Sequence, residues 1–203
     1  MAGERDVVLV RHGQTAWSAT GRHTGRTDVP LTDEGRRQGE EVGALLAPWS
    51  FATVLTSPLG RARETCRAAG FEGEVDPDLQ EWDYGDHEGR TTPEIREDDR
   101  GWTVWRGPVP GGESIDDVAV RADRVIARIV GVEGDIAVFS HGHFLRVLAA
   151  RWLRLPPTAG GMLLLDTGTI SVLSTERESP AIRLWNGVPP HHDVTSSTPE
   201  RRS

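Results

Sequence analysis

Arg11-His12-Gly13, Ser57-Pro58-Leu59-Gly60-Arg61 and His141-Gly142 bring two histidines and two arginines to the ends of three short apolar runs in a chain of 203 residues. A single histidine at such an end is more often a structural residue. A single arginine on a first helical turn is more often a solvated or paired charge. Two of each, converging beside helix N-termini, form a compact cationic pocket whose natural occupant is a phosphate or a carboxylate. Nucleotide-binding loops are excluded as the route to that chemistry, because neither G-x-G-x-x-G nor G-x-x-x-x-G-K-S/T occurs and all 23 basic residues are arginine. His12, His141 and His143 show no spacing of the H-E-x-x-H kind, so no metal is expected.

The elements that must position these groups follow from periodicity and caps. Residues 6–10 form an apolar run, as a buried parallel strand does, and it stops at Arg11-His12-Gly13. Thr32 caps a predicted helix in which Asp33 and Glu34 suit the positive end of the dipole, and Val42, Leu45 and Leu46 give the apolar stripe before Pro48. A second strand over 52–56 leads into Ser57-Pro58, read as an N-cap followed by proline at the first position of a helix ending at Gly70. Residues 71–112 read as a polar, aromatic, turn-rich, lid-like excursion with one short helix started by Thr92-Pro93-Glu94. Ser114 and Asp117 form a capping-box variant ahead of Ile115, Val118, Ala119, Ala122, Val125, Ile126 and Ile129 at helical spacing. A third strand over 136–140 ends at His141-Gly142, followed by a helix over 143–155 that Pro156-Pro157 stops. Closing strands are expected at 163–166, 169–174 and 181–185.

This alternation predicts an α/β three-layer sandwich with a mostly parallel central sheet flanked by helices. A single domain is expected over 1–187, with 188–203 a flexible tail rich in Pro, Ser, Thr and charge. Sheets of this class bind ligands beyond the carboxyl ends of their strands, where Arg11-His12, Ser57 through Arg61 and His141-Gly142 all fall.

The net charge of −8 disfavours a general nucleic-acid-binding surface and requires any anion site to be a local cluster of Arg and His. No apolar stretch is long enough to span a bilayer, so no membrane association is expected. The N-terminal Met-Ala-Gly-Glu-Arg-Asp carries acidic charge where a secretory signal is basic. Cys66 is the only cysteine, which excludes an internal disulfide and suits a reducing compartment. The chain is read as cytoplasmic.

Arg11-His12-Gly13-Gln14-Thr15, Thr56-Ser-Pro-Leu-Gly-Arg61-Ala-Arg-Glu-Thr65, Glu81 within Leu79-Gln-Glu-Trp-Asp-Tyr-Gly85, and Ser140-His141-Gly142 occur in the order seen in the histidine phosphatase superfamily. The chain resembles that superfamily, which includes cofactor-dependent phosphoglycerate mutases. Gly21 through Thr32, Glu81 through Gly89 and Ser140 through Arg146 look most like the sedoheptulose 1,7-bisphosphatase-type branch.

The resemblance implies a phosphoglycerate mutase-like fold and a role for each motif residue. His12 is the implied nucleophile that forms a phosphohistidine. Arg11, Arg61 and His141 are assigned to the phosphoryl oxygens, and Glu81 to protonation of the leaving alkoxide. Substrate binding is assigned to Gln14, Ser18, Thr24, Gly25, Tyr84 and Gly142. Asp83 and Asp86 are the next candidates for the acid. Ser18 stands where mutases of the superfamily usually carry an Asn that contacts the phosphoryl group, so a shorter or water-mediated contact is expected, and the brief link from Leu155 to Met162 puts a second-phosphate subsite in question.

The expected activity is metal-independent, cofactor-free hydrolysis of a small phosphorylated metabolite such as a sugar phosphate or bisphosphate. A mutase-type phosphotransferase is the alternative, disfavoured because the segment between Glu81 and Gly112 is short; a non-catalytic phospholigand-binding module comes last, since His12 and Glu81 are both present. Nothing in the sequence indicates an oligomeric state.

Four other features receive simple readings. His143 reads as a helix-start residue. Trp82, Trp102 and Trp105 read as a small satellite core, with a site-drying lid as the alternative. Arg121, Arg124 and Arg128 read as a solvated helix face paired with Asp117 and Glu133. Arg146 and Arg151 are either second-subsite ligands or surface charges.

Overall fold

The computed structural model describes residues 5–188. Among them, strands β1 (Val7–Arg11), β2 (Phe51–Thr56), β3 (Glu74–Val75), β4 (Asp135–Ser140), β5 (Ile170–Glu176) and β6 (Ser179–Gly187) form one sheet in the order β3-β2-β4-β1-β5-β6. The first four neighbours in that order pair in parallel, and β5 and β6 close the sheet antiparallel. The helices are α1 (Ala16–Ala19), α2 (Asp33–Leu46), α3 (Gly60–Ala68), α4 (Thr92–Asp98), α5 (Ile115–Val130) and α6 (Gly142–Trp152). The α/β three-layer arrangement with a mostly parallel sheet is as expected. The tail predicted for 188–203 lies, beyond Val188, outside the described residues. No helix among the described residues is long and apolar enough to cross a membrane.

Successive side chains of a strand point to opposite faces, and that period divides the core in two. Val8 and Val10 of β1, with Ala137 and Phe139 of β4, pack against Val42 and Leu46 of α2 and Cys66 of α3. Val7, Leu9, Ile136 and Val138 face the other way, toward Val118, Val125 and Ile129 of α5 and Phe144, Leu145 and Leu148 of α6. Both strands are buried on both faces, so they read as continuous apolar runs.

The register places the chemistry. Arg11 pairs with Ser140 and Thr56 with Phe139, so β1, β2 and β4 end level with one another. The His12 N–H donates to the Ser140 carbonyl at 3.0 Å and the Ser57 N–H to the Phe139 carbonyl at 2.9 Å. His12, Ser57 and His141 therefore leave the sheet side by side.

Thr32 and the Ser114–Asp117 capping box start α2 and α5 as predicted. Several other boundaries differ from expectation. Helix α3 begins at Gly60 with Leu59 at its N-cap, not at Ser57-Pro58. The capping acceptor comes from a distant loop, with Asp28 Oδ2 accepting from the Gly60 N–H at 2.7 Å. The cap of α4 is Thr91 rather than Thr92, because Thr91 and Glu94 make the reciprocal box. Helix α6 ends at Trp152, ahead of Arg154 at φ 60°. Residues 163–166 form no strand: the Leu165 carbonyl accepts from Arg11 Nη1 and the Leu164 carbonyl from Trp185 Nε1, so side chains take the groups a ladder needs. Strand β3 appears inside 71–112, where none was predicted. Trp82 and Trp102 are not a satellite; they belong to the same core as α5 and α6.

One close approach joins the loop after β1 to α2. A Cβ on Gly35 would lie 2.1 Å from the Gln14 carbonyl oxygen, and one on Gly13 would lie 2.1 Å from the Gly35 carbonyl oxygen. Gly35→Ala is expected to destabilise the fold by about 1–3 kcal/mol, the range for overpacking. A thermal unfolding midpoint equal to that of the wild type would contradict this contact.

Candidate active site

His12 leaves β1 with its ring 5 % exposed and 5.1 Å, centroid to centroid, from that of His141. Its Nδ1 lies 2.7 Å from the Gly13 carbonyl oxygen. A carbonyl can only accept, so Nδ1 carries the proton and Nε2 keeps its lone pair. Burial, then the charges of Arg61 and Arg11, hold His12 well below the usual histidine pKa, so the ring is neutral near pH 7.

His141 is fixed in the same way by a different partner. Arg61 Nε donates to its Nδ1 at 3.2 Å; a guanidinium only donates, so Nε2 bears the hydrogen and donates to Ser57 Oγ at 2.7 Å. Burial, followed by Arg61 and His12, pushes the His141 pKa down. Arg61 itself is fully buried, and its terminal nitrogens donate to the carbonyls of Thr24, Gly25 and Thr27 at 2.9–3.1 Å. With those donors engaged, Arg61 reaches the pocket mainly as a field.

Arg11 lies over the start of α6, where a Cβ on Gly142 would stand 3.2 Å from its Cζ and Nε. Glycine at that position leaves room for the guanidinium. Nη1 of Arg11 donates to the Leu165 carbonyl, while Nε is buried with no partner among the described residues. A buried cationic donor without a partner, beside a helix N-terminus, is an anion-binding feature.

Glu81 sits in an irregular stretch and is 6 % exposed. Its Oε1 accepts from the N–H groups of Trp82 and Phe144, both at 2.8 Å, and Oε2 accepts from the His143 N–H at 3.0 Å. The carboxyl is therefore seated on the first turn of α6, with Oε2 the less occupied oxygen. Asp83, paired with Arg26 at 2.9 Å, and Asp86 are not among the residues that line the cavity.

A cavity of about 370 Å³ opens over these groups, lined by Arg11, His12, Ser18, Thr24, Glu81, Tyr84 and Gly142 from the sequence-predicted set. Arg61 and His141 stand behind its wall. Ser18 reaches the lining, but its Oγ is engaged in a capping box with Thr15. Two predicted substrate residues are elsewhere. Gln14 Oε1 accepts from Thr32 Oγ1 at 3.0 Å at the start of α2, so its side chain does not line the cavity. The Gly25 N–H donates to Glu88 Oε1 at 2.8 Å, and a Cβ there would meet the Trp82 carbonyl at 2.5 Å, so Gly25 is part of the wall.

The cavity also contains residues that sequence reasoning missed or left open. His143 is more than a helix-start residue: Tyr84 Oη lies 2.6 Å from its Nδ1. Burial raises the Tyr84 pKa and lowers that of His143, so the phenol and the imidazole meet as neutral groups. His23, Arg22, Arg96 and Trp105 line the cavity as well. Arg146 does so too, stacked 4.6 Å from the Trp105 ring, whereas Arg151 forks onto Asp123 outside the cavity at 2.8 and 3.0 Å. The signal for Arg146 was its place one turn after His143 on α6.

The arginine face of α5 is not paired as predicted. Arg121 pairs with Glu113, Arg124 with Asp78, and Arg128 with Glu74 and Asp76. These partners come from other segments, beyond the reach of helical spacing. Among the described residues no three of His, Cys, Asp and Glu converge as metal ligands would.

Comparison with known proteins finds relatives over most of the chain. An acid phosphatase of Mycobacterium tuberculosis is 43% identical over 175 residues, spanning 84% of this chain and 86% of that protein. The sedoheptulose 1,7-bisphosphatase of Saccharomyces cerevisiae is 40% identical over 182 residues, spanning 73% of this chain and 67% of that one. The solved structure of the product of open reading frame Rv3214 from Mycobacterium tuberculosis superimposes with a TM-score of 0.89 at 39% identity, covering 91% of this chain and 98% of that one. A mycobacterial glucosyl-3-phosphoglycerate phosphatase in complex with VO3 gives 0.81 at 28% identity, covering 90% and 99%. The model of the histidine phosphatase superfamily (branch 1) matches residues 7–188, from the first strand to the last described residue, and this chain belongs to that superfamily.

Proposed function

We propose that the protein is a phosphoric monoester hydrolase that acts on a small phosphorylated metabolite through a phosphohistidine. The observation that carries this reading is His12, held neutral with its Nε2 lone pair free, beside the unpartnered Nε of Arg11. In the first step Nε2 attacks phosphorus, the ester P–O bond breaks, and the leaving oxygen takes a proton from Glu81. In the second, water attacks phosphorus, Glu81 takes its proton, and the P–N bond breaks to release phosphate. Arg11 and the field of Arg61 offset the charge on the phosphoryl oxygens in both, while His141, behind the wall, holds Arg61 and Ser57 in place.

A sugar phosphate with a second anionic group suits the outer cavity. Arg96 and Arg146 line it, with hydrogen bonds to the carbonyls of Trp102, Gly160 and Gly161 and no carboxylate of the described residues within ion-pair distance. In an acidic protein, cations left without carboxylates at a cavity rim favour an anionic ligand. Relatives named for sedoheptulose 1,7-bisphosphate and glucosyl-3-phosphoglycerate support the same class.

The test is phosphate release from a panel of sugar phosphates and bisphosphates, with alkaline quench to trap phosphorylated His12. Vanadate, which mimics five-coordinate phosphorus, is expected to inhibit. Since His12, Glu81 and the arginines carry each step, the rate is expected to be the same with and without a chelator. Efficient conversion of 3-phosphoglycerate to 2-phosphoglycerate without phosphate release would replace this reading with a mutase.

A further inference from the structure

Glu81 lies in a stretch, 81–84, that has no regular secondary structure to fix it. An ion pair outside the cavity does so instead. Arg121 of α5, with its side chain only 12 % exposed, forks onto Glu113 through Nε and Nη2, both at 2.7 Å. Its remaining donors reach the carbonyls of Asp78 at 2.8 Å, Gln80 at 2.9 Å and Glu81 at 3.4 Å. Its guanidinium also lies 5.0 Å from the centre of the Phe144 ring, the residue whose N–H donates to Glu81 Oε1. Glu113 holds the chain on the other side: its Oε2 accepts from the Asp83 N–H at 3.0 Å, and its carbonyl accepts from Trp82 Nε1 at 2.8 Å. One ion pair thus pins the backbone before, at and after Glu81, while neither partner lines the cavity.

We infer that Arg121, locked to Glu113, is the positioning residue that keeps the Glu81 carboxyl at proton-transfer distance from the leaving oxygen. This rests on the reading of Glu81 as proton donor. Lysine cannot substitute, because it lacks the planar fork that engages a carboxylate and backbone carbonyls together. Arg124 and Arg128 grip the same segment farther from Glu81, at Asp78, Asp76 and Glu74. They serve as internal controls for loss of stability alone.

The experiment is single-turnover phosphorylation of His12 by p-nitrophenyl, phenyl and alkyl phosphates, plotted against the pKa of the leaving alcohol. Arg121→Lys and the isosteric Glu113→Gln are expected to lose about 10- to 10²-fold on the alkyl ester, the scale of a displacement near 1 Å. The loss is expected to shrink as the leaving group improves. Arg128→Gln is expected to lower the unfolding midpoint while keeping the wild-type slope. Combining Arg121→Lys with Glu81→Gln should add little on the alkyl ester, since a missing acid has nothing to position. Equal losses on all three esters, or a steeper slope in Arg128→Gln as well, would overturn the inference. If Arg121→Lys does not fold, Glu113→Gln alone decides. If Glu81→Gln itself shows no leaving-group dependence, the proton-donor reading fails and takes this inference with it. If it does show one and the other two variants do not, only the inference fails.

Discussion

His12→Ala is expected to lower turnover of every phosphomonoester by at least about 10⁴-fold, the order of loss when a covalent nucleophile is removed. The fold should survive. The His12 backbone N–H to the Ser140 carbonyl, which ties β1 to β4, does not depend on the side chain, and the imidazole borders an open cavity rather than the packed core. Loss of activity with an unchanged thermal midpoint, and loss of the acid-labile phosphorylated enzyme in a quench experiment, are the paired observations required. A folded His12→Ala protein with wild-type activity would end the phosphohistidine mechanism. The same geometry fixes a pH dependence. Because the His12 pKa is lowered, its protonation in the free enzyme begins only well below pH 6.5. Hence kcat/KM, which reports the free enzyme, is expected to lose nothing to His12 protonation as pH falls from 7.5 to about 6.5. An acid limb centred at the usual histidine value in a substrate-independent manner would contradict the buried, arginine-flanked ring.

Glu81→Gln is expected to show the second largest effect, and a selective one. The amide keeps an oxygen to accept from the Trp82 and Phe144 N–H groups and gives up only the bond from the His143 N–H, so most of the seat on α6 is retained while the transferable proton is lost. Positioned acid–base catalysis contributes about 10²- to 10⁴-fold, and that factor should disappear from His12 phosphorylation by a sugar phosphate, whose alkoxide leaves poorly. With p-nitrophenyl phosphate the phenolate needs no proton, so phosphorylation should be far less affected. Any remaining loss should fall on hydrolysis of the phosphohistidine, where the carboxylate takes a proton from water. Single-turnover measurements of both half-reactions separate these outcomes. An equal loss of phosphorylation on both esters would mean that Glu81 supports the site without donating a proton. Asp83 and Asp86 do not line the cavity, so no carboxylate from the sequence-predicted alternatives stands ready to replace it.

Local rules in the sequence determined a good deal of this protein. The apolar runs before Arg11 and His141 marked two central parallel strands, because a strand buried on both faces must be apolar throughout. Thr32 and the Ser114–Asp117 box marked two helix starts, because a cap acts within three residues of the backbone groups it satisfies. Strand ends followed by Arg-His and His-Gly were enough to gather the cationic cluster at one sheet edge. Interactions between segments were decided only in the tertiary structure. Asp28, not Ser57, caps α3 from more than thirty residues away. Arg121 turns to Glu113 and the Glu81 segment rather than to its own helix, and Gln14 turns to Thr32 instead of the cavity. The proton positions on His12 and His141 depend on whether a carbonyl or a guanidinium arrives at Nδ1. Periodicity and capping act over a turn or two of chain, whereas these partners are chosen by sheet register and by which donors remain unsatisfied once the layers have packed.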